Sequence, residues 1–323
     1  MTTSKSLVTG GAGFIGSHLV EALLRNECEV IVLDDLSSGR IENIRSYQSL
    51  ENFSFIKGSI LDVNLLKKVM KDVDVVYHQA AIRSVPKSIE MPSAVNEVNV
   101  TGTLRLLNQA LESGVDRFIY ASSSSVYGEA EALPKVEDLP TVPASPYGTS
   151  KLAAEHYCRV FNKVYGLKTV SLRYFNVYGP RQPYGPYSGV IILFIGRALR
   201  GEPPKIFGDG DQTRDFTHVD DVVQANLLAS KPQAPFGEAI NIGAGRQTSI
   251  NTLAQIILEL TGRTDLTPVY TSPRLGDIRH ALADISLAKK LLGYEPRVSL
   301  HQGLDKLVKW YQGPGRDFYL EDT

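Results

Sequence analysis

The chain has 323 residues, of which 43% are hydrophobic and 21% charged, proportions that are typical of a globular protein with a sizeable core. Lys and Arg total 34 and Asp and Glu 35, a formal net charge of −1 that removes the usual electrostatic argument for nucleic acid or a membrane surface as partner. The longest apolar run, Val190–Ile195, is too short to span a bilayer, the N-terminus lacks a signal-peptide pattern, and two cysteines make no disulfide framework, so we expect a cytoplasmic protein.

The first half of the chain alternates short β-branched runs with helical patterns. Strands are predicted over Ser6–Thr9, Glu29–Leu33, Phe53–Ile56, Val73–His78 and Arg117–Ala121. Helices are predicted over Phe14–Arg25, Leu61–Lys71, Asn99–Glu112 and Pro146–Tyr165. Strands separated by helices need crossover connections, which give a parallel sheet covered on both faces. The predicted fold class is therefore α/β, with a Rossmann-type doubly wound parallel sheet.

The pattern of apolar residues and of Pro and Gly changes after about residue 176. Pro and Gly punctuate the segments 179–189 and 201–210, and the periodic stretches become shorter. We expect a first domain over 1–176, with returns of the chain to it near 215–245, and a smaller interleaved α/β lobe over 177–312. The segment 313–323 has no periodicity and is expected to be a tail.

A glycine-rich loop follows the first predicted strand. Gly10, Gly13 and Gly16 are spaced by two residues, with Gly11 completing a Gly-x-Gly-x-x-Gly pattern, and a helix begins directly afterwards. This pattern permits a tight turn and brings backbone close to a pyrophosphate at the positive end of a helix. Asp34 ends the second strand, where a carboxylate can accept hydrogen bonds from a ribose and repel a 2′-phosphate. The loop therefore predicts a dinucleotide site that favours NAD over NADP.

A tyrosine and a lysine occupy one face of the last predicted helix. Ser145 and Pro146 suit the cap and the first helical position, so that Tyr147 and Lys151 are four residues apart in the first turns. A phenol has an ordinary pKa of about 10, and nearby positive charge should lower it toward the range needed by a base that takes the proton of an alcohol. The serines 122–125 follow the fifth strand, at the sheet edge where ligands bind in open α/β folds.

These features together resemble the extended short-chain dehydrogenase/reductase family, and more narrowly its UDP-hexose 4-epimerases. The resemblance runs from about Leu7 to Tyr311. It is carried by the stretches TGGAGFIGSHL, VLDDLSSG, HQAAIRSVPKS, NVTGTLRLL, SSSSVYGE, SPYGTSK, LRYFNVYGPRQ, IFGDGDQTRDFTHVDDV and RLGDIRHALADI. It implies an NAD-dependent enzyme that inverts a sugar C4 hydroxyl through a transient 4-keto intermediate.

The resemblance also implies roles for individual residues. Tyr147 would be the base, Lys151 would hold the nicotinamide ribose and lower the tyrosine pKa, and Ser123 would bind the sugar 4-hydroxyl. The cofactor would be lined by Gly10, Gly13, Phe14, Ile15, Gly16, Asp34, Asp35, Ser38, Gly39, Ser59, Ile60, Gln79, Ala80, Ala81, Arg83, Asn99, Ser122, Tyr147, Lys151 and Tyr174. The UDP-sugar would contact Ser84, Ser123, Ser124, Ser125, Asn176, Val190, Arg214, Arg274, Asp277 and Ala281.

Departures from related families bear on the substrate. Related 4,6-dehydratases carry Asp-Glu where this chain has Ser124-Ser125, so the resemblance disfavours a dehydratase reaction. UDP-glucuronate 4-epimerases and decarboxylases stay open as alternatives, since Arg83 or Arg181 would supply a cation for a carboxylated sugar. An ordinary sugar-nucleotide oxidoreductase also stays open, whereas a non-catalytic dinucleotide sensor has no reason to keep Tyr147, Lys151 and Ser123 together.

Sugar size, assembly and metal content are the remaining expectations. Galactose-restricted relatives have a bulky tyrosine at the place of Ala281, so the small side chain favours UDP-GlcNAc and UDP-GalNAc alongside UDP-Glc and UDP-Gal.

Relatives pair two helices of each chain into a four-helix bundle, so the resemblance implies a homodimer. The residues that would form its interface are each equally compatible with the core of one chain: Leu104, Leu107, Leu111, Ala153, Phe161 and Val164. The six histidines show no metal-ligand spacing, so no metal is expected.

Overall fold

The computed structural model describes residues 4–130, 132–184, 189–273 and 279–316. Within these ranges seven strands form one parallel sheet, and three further pairs of short strands lie in the second half of the chain. The strands in chain order are β1 (Lys5–Thr9), β2 (Glu29–Asp34), β3 (Phe53–Lys57), β4 (Val75–His78), β5 (Arg117–Ser123), β6 (Lys168–Tyr174), β7 (Val177–Tyr178), β8 (Lys205–Phe207), β9 (Thr213–Arg214), β10 (Thr217–His218), β11 (Ala239–Ile242), β12 (Thr248–Ser249) and β13 (Val269–Thr271).

Helices connect these strands. They are α1 (Phe14–Arg25), α2 (Val63–Val69), α3 (Val85–Glu90), α4 (Pro92–Asn96), α5 (Gly102–Glu112), α6 (Pro146–Tyr165), α7 (Val190–Leu199), α8 (Val219–Ala229), α9 (Ile250–Leu260), α10 (Ser286–Leu292) and α11 (Leu300–Gln312). Short 3₁₀ turns cover Ile41–Asn43, Arg45–Tyr47 and Ser124–Tyr127, and a π-helical turn covers Glu97–Thr101.

The large sheet has the strand order β11-β6-β5-β4-β1-β2-β3. The chain runs outward from β1 to β3 and then crosses back to β4, so the order reverses between β1 and β4. In open α/β sheets the ligand crevice lies at such a reversal, outside the carboxyl ends of the strands. The prediction of an α/β doubly wound parallel sheet is confirmed.

Alternating residues of the strands supply two apolar layers, one on each face of the sheet. On one face Val8 and Val32 pack with α1 and α8. On the other face Leu7 and Leu33 pack with α2, α5 and α6. Because both faces are covered, the strands carry near-continuous apolar runs.

A third apolar cluster forms the core of the second lobe. It joins side chains of α7, α9 and α11, among them Phe194, Leu253 and Leu307. Between the segments of this lobe the chain returns to the first one. α8 packs on the large sheet, and β11 pairs with β6 from Ala239, opposite Ser171, to Ile242, opposite Tyr174.

Several predicted boundaries differ from the structure, and local hydrogen bonding explains the differences. The helix predicted over Leu61–Lys71 is shorter, because the Asp62 side chain caps it by accepting from the Leu65 amide. The helix predicted over Asn99–Glu112 begins as a π-helical turn and becomes α-helical at Gly102. The strand β6 was not predicted. Arg173, the sixth of its seven residues, interrupts the apolar pattern, and its charge is compensated by Glu155 of α6.

Candidate functional site

The glycine loop joins β1 to α1 in a conformation that needs glycine at two positions. Gly10 has a φ of +70°, which L-residues with a side chain rarely adopt. A Cβ atom on Gly16 would lie 2.1 Å from the carbonyl oxygen of Gly10, so any side chain there would collide with the backbone. Gly13 caps α1 without a side-chain hydrogen bond to the first turn. The amide groups of that turn, which begins with Phe14, Ile15 and Gly16, therefore form a cradle that fits the diphosphate of a dinucleotide.

Asp34 closes the side of this loop at the end of β2. Its carboxylate accepts hydrogen bonds from the amides of Ala12, at 3.0 Å, and Leu36, at 2.8 Å. Burial raises the pKa of Asp34, and these two hydrogen bonds oppose the rise. A Cβ on Gly39 would lie 2.8 Å from the same carboxylate, so the glycine permits the close approach. The predicted contact of Asp34 with a ribose stays a prediction.

The helix α6 places Tyr147 against the serine loop that follows β5. Ser145 caps the helix by accepting from the Gly148 amide at 3.1 Å, and Pro146 occupies the first helical position, as the sequence predicted. A Cβ on Gly148 would lie 2.6 Å from the carbonyl oxygen of Ser125. The missing side chain lets the first turn of α6 lie close to this loop, where the neighbouring Ser123 hydroxyl lowers the pKa of the Tyr147 phenol.

Lys151 lies one turn further along α6 and is buried, with 4% of its surface exposed. Its ammonium group donates to the carbonyl oxygen of Ala121 at 2.9 Å and lies 6.0 Å from the centre of the Tyr147 ring. Burial lowers the pKa of Lys151 to about 7, because the surroundings solvate the charged form poorly.

The phenol itself differs from the sequence-based expectation. Burial raises the pKa of Tyr147 above its ordinary value, and the hydrogen bond from Ser123 and the charge of Arg83 lower it in part. Nearby positive charge acts in the expected direction through Arg83, but desolvation outweighs it, and burial lowers the pKa of Lys151, the group expected to supply that charge. A positively charged group bound next to the phenol would act in the opposite direction to desolvation.

Two polar networks hold other predicted cofactor residues in place. Asn99 accepts from the amide of Ile82 at 2.8 Å and donates to the Ser150 hydroxyl at 3.0 Å, which joins the loop before α3 to α6. Gln79 donates to the Tyr174 hydroxyl at 3.2 Å and to Asn226 of α8 at 3.1 Å. Asn226 was not predicted, since its position on a helix of the returning segment gives no signal of its own.

The other predicted residues lie at the carboxyl ends of the strands. Asp35, Ser38 and Gly39 follow β2, Ser59 and Ile60 follow β3, and Ala80, Ala81, Arg83 and Ser84 follow β4. Ser122 is the next-to-last residue of β5, and Ser124 and Ser125 begin the 3₁₀ turn that follows the strand. These residues therefore share one edge of the sheet, and contacts of each with a ligand stay predictions.

A buried ion pair behind Tyr147 and Lys151 was missed by the sequence analysis. Arg173 of β6 and Glu155 of α6 are 2.6 Å apart between Nη2 and Oε1, with side chains that are 7% and 6% exposed. Glu155 also accepts from the Ser122 hydroxyl at 2.6 Å. Glu155 is four residues from Lys151, on the same helix face, and this spacing is the signal that was available.

A cavity of about 280 Å³ opens in the second lobe beside this edge. Three of the predicted substrate residues, Asn176, Val190 and Arg214, are among those that line it. Ala281 lies nearby, because its amide donates to the carbonyl oxygen of Thr213 at 3.1 Å. Arg274 and Asp277 lie outside the described residues.

The described ranges contain no cluster of three or more His, Cys, Asp or Glu side chains that would hold a metal ion. Across the same ranges, none of the helices combines the length and apolar character needed to cross a bilayer.

Comparisons with known proteins identify the family of the chain. The model of the NAD dependent epimerase/dehydratase family matches residues 6–243. A putative UDP-glucose 4-epimerase of Methanocaldococcus jannaschii is 42% identical over 312 residues, which are 96% of this chain and 99% of the relative. The crystal structure of a Thermotoga maritima UDP-glucose 4-epimerase with UDP-glucose is 43% identical, with a TM-score of 0.90 and coverage of 96% of this chain and 99% of that one.

Two further solved structures are similar and carry other sugars in their descriptions. A UDP-N-acetylglucosamine 4-epimerase of Methanobrevibacter ruminantium, in complex with UDP-N-acetylmuramic acid, is 39% identical, with a TM-score of 0.92 and coverage of 97% and 100% of the two chains. A UDP-glucuronic acid 4-epimerase of Bacillus cereus, in complex with UDP-glucuronic acid and NAD, is 39% identical, with a TM-score of 0.89 and coverage of 95% and 99%.

Proposed function

Because the chain belongs to the NAD dependent epimerase/dehydratase family, we propose that it inverts the C4 hydroxyl of a UDP-hexose, most readily of UDP-GlcNAc and UDP-GalNAc and also of UDP-Glc and UDP-Gal. The observation that carries the proposal is the meeting of Tyr147, Ser123 and Lys151 at the carboxyl edge of the sheet, next to the glycine loop.

The cofactor of this family is NAD, and the glycine loop fits its diphosphate. The amides of the first turn of α1 would hold that diphosphate, and Asp34 would accept from the adenosine ribose. Lys151, whose ammonium group lies 6.0 Å from the centre of the Tyr147 ring, would hold the nicotinamide ribose. When bound, NAD supplies the acceptor for the hydride of the sugar C4 and returns it.

Proton transfer falls to the chain's own residues. Tyr147 accepts the proton of the C4 hydroxyl, and Ser123 hydrogen-bonds the same hydroxyl and holds it toward the phenol. Burial raises the pKa of the Tyr147 phenol, and a positive charge bound beside it would lower that pKa toward the range of a working base. After the 4-keto sugar has rotated so that the other face of C4 is presented to the cofactor, Tyr147 would return the proton to the C4 oxygen.

Rotation of the sugar requires strong binding of the nucleotide and loose binding of the hexose. Asn176 and Arg214, which line the cavity of the second lobe, would hold the uridine diphosphate, with Arg274 and Asp277 as further proposed contacts. Guanidinium groups suit this role because they pair bidentately with phosphate oxygens. Ala281 leaves room for an N-acetyl group at the sugar C2, which is the basis for including the acetylated sugars.

A UDP-glucuronate 4-epimerase is the second candidate, since relatives with that name are similar over almost the whole chain. Of the two cations expected for a carboxylated sugar, Arg181 pairs with Glu21 of α1 at 2.7 Å and is not directed at Tyr147. Arg83 remains, because its charge acts on Tyr147. A decarboxylase would need the same cation. The dehydratase reaction is disfavoured because Ser124 and Ser125 provide no acid and no carboxylate for the elimination of water.

We also propose that the protein is a homodimer formed through α5 and α6. Leu107 and Phe161, which the sequence analysis included in this face, are buried in the core of one chain. The outer side of the two helices instead exposes Leu111 (38%), Val160 (47%) and Val164 (63%). Paired about a twofold axis, these apolar side chains would cover one another.

The experiment that tests the function follows C4 inversion by NMR, without added cofactor, on UDP-Glc, UDP-GlcNAc and UDP-glucuronate. We expect inversion of the first two and a loss of about 10²–10⁴-fold in the rate for Tyr147→Phe. Inversion of UDP-glucuronate alone would support the second candidate. Full activity of Tyr147→Phe, or no inversion of any of the three, would remove the proposal.

A further inference from the structure

We propose that Asp215 is a positioning residue for the UDP-sugar: its buried carboxylate joins the backbone segments that carry the proposed substrate contacts, and it holds them fully only when it is ionised. The inference rests on the proposed function only in placing a UDP-sugar at Arg214 and in the cavity of the second lobe. It adds a residue that acts through its neighbours and a dependence of substrate binding on pH.

The carboxylate of Asp215 joins two loops that are far apart in sequence. Asp215 lies between β9 and β10, with 0% of its surface exposed. Its Oδ1 atom accepts from the amide of Ala244 at 2.8 Å, and its Oδ2 atom accepts from the amides of Gly245 at 3.0 Å and Ala283 at 3.1 Å. A Cβ on Gly243 would lie 2.8 Å from Oδ2, so the loop after β11 approaches the carboxylate closely. One side chain therefore holds both this loop and the segment before α10.

The segments that meet at Asp215 carry proposed substrate residues. Arg214, which lines the cavity, precedes Asp215 in the chain. The backbone carbonyl oxygen of Asp215 accepts from Nδ2 of Asn176 at 3.2 Å, and Asn176 lines the same cavity. Ala281 lies two residues before Ala283, whose amide the carboxylate holds. Three proposed contacts from three separate segments are thus within two residues of a group that is bonded to Asp215.

The strength of these hydrogen bonds depends on the charge of the carboxylate. Hydrogen bonds to an ionised acceptor are roughly twice as strong as those between neutral groups. Protonation of Asp215 would also place a donating hydrogen among three amides that themselves donate. The two loops would then be held less tightly, and the substrate residues that they carry would lose their fixed positions.

The surroundings of Asp215 place its titration close to neutral pH. Burial raises its pKa to about 6, and the hydrogen bonds from the amides oppose the rise. Tyr294, whose hydroxyl donates to the carbonyl oxygen of Gly243 at 2.9 Å, has a pKa that burial raises most and that the charges of Asp221 and Asp215 raise further, so it is a neutral neighbour. The other ionisable residues on the segments packed around the carboxylate are Lys135, Arg214, Arg246, Arg279, His280 and Asp284.

The test measures the dissociation constant of UDP-glucose by calorimetry between pH 5 and pH 8, on the full chain carrying Tyr147→Phe to prevent turnover. UDP-glucose is the probe because its diphosphate is esterified at both ends and takes up no proton in this range. If the ionised form of Asp215 binds well and the neutral form does not, a pKa of about 6 gives a dissociation constant about tenfold higher at pH 5 than at pH 8.

Asp215→Asn keeps the volume of the side chain and cannot titrate. It retains one carbonyl oxygen and turns an N–H group toward the backbone donors. At pH 8 we expect this variant to bind UDP-glucose about tenfold more weakly than the chain with Asp215. Between pH 5 and pH 8 its dissociation constant should change by less than about twofold. A residue with a merely structural role would not remove the pH dependence.

Two control variants separate this role from general stability and from another ionisable group. Asp221 of α8 is also buried, accepts from the amides of Arg297 at 2.8 Å and Val298 at 3.3 Å, and has a pKa that burial raises. Asp221→Asn should lower Tm and keep the tenfold dependence on pH. His280 shares a hydrogen bond of 2.9 Å between its Nδ1 and the Thr213 hydroxyl, and His280→Gln should also keep that dependence.

The outcomes separate this inference from the proposed function. A dissociation constant that is unchanged between pH 5 and pH 8 overturns the inference even if the variants fail to fold. So does a dependence on pH that persists in Asp215→Asn, or one that disappears in either control. Binding with the expected dependence in a protein that inverts no sugar supports the inference and removes the 4-epimerase proposal alone, whereas a chain that binds no UDP-glucose removes both.

Discussion

Replacing Glu155 by Gln should be among the most destabilising conservative changes in the first lobe. The carboxylate of Glu155 receives Nη2 and Nε of Arg173 at 2.6 and 3.1 Å and the hydroxyl of Ser122 at 2.6 Å. Both partners of the ion pair are buried, and the neighbouring carboxylate is a cause of the raised pKa of Arg173. In the variant the guanidinium stays charged and loses its counter-ion in a poorly solvating environment.

The expected magnitude follows from this burial. Removing one partner of a buried ion pair typically costs about 3–5 kcal/mol, because the other charge remains uncompensated. For a chain of 323 residues that loss corresponds to a fall in Tm of roughly 4–7 °C. The surface pair of Asp305 and Lys309 on α11 has exposed side chains, so Asp305→Asn should lower Tm by no more than about 1–2 °C.

Differential scanning calorimetry at pH 7 measures both variants under one scan rate. A double variant, Glu155→Leu with Arg173→Met, replaces the pair by apolar side chains and should recover part of the loss, because no bare charge remains. A Tm for Glu155→Gln within 1 °C of the unaltered protein would refute the reasoning. The reasoning would also be refuted if the fall in Tm of the double variant exceeded the sum of the falls measured for Glu155→Leu and Arg173→Met singly.

Three further predictions concern the site. Burial lowers the pKa of Lys151 to about 7 in the folded protein, so between pH 7 and 10 the lysine is neutral when folded and protonated when unfolded. The free energy of unfolding should therefore rise with pH over this range, by at most roughly 4–5 kcal/mol. Measurements of Tm against pH should show this rise in the unaltered protein and a flatter curve for Lys151→Met. Gly16→Ala places a Cβ 2.1 Å from Gly10 and should abolish NAD retention, measured by absorbance of the denatured supernatant, whereas Gly313→Ala meets nothing closer than 3.4 Å and should retain it. Ala281→Tyr should lower turnover of UDP-GlcNAc by at least tenfold and that of UDP-Glc much less, and equal turnover of both sugars in the variant would contradict the size gate.

Local pattern was sufficient to predict the first half of the fold. The bounds of α1 and α6 agree with the prediction to the residue, because each has a clear start: a glycine loop before Phe14, and Ser145-Pro146 before Tyr147. The glycine spacing and the Tyr147–Lys151 pair depend on residues close in sequence, and the structure brings both to the same edge of the sheet.

Contacts between distant segments were beyond that reasoning. The partner of Arg173 is 18 residues away, and Asn226 meets Tyr174 across 52 residues. The cavity of the second lobe is likewise formed by segments spread between Asn176 and Ile250. None of these contacts leaves a period or a short motif in the chain.

The sequence by itself determined β1 to β5, the helices α1 and α6, the glycine loop and the spacing of Tyr147 and Lys151, because turn geometry, helix periodicity and the spacing of side chains on one helix are local properties. Only the tertiary structure decided the directions of the pKa shifts of Tyr147 and Lys151 and the burial of the Glu155–Arg173 ion pair. The reason is that desolvation and hydrogen-bond satisfaction depend on every segment packed around a group, and that packing is assembled from residues far apart in the chain.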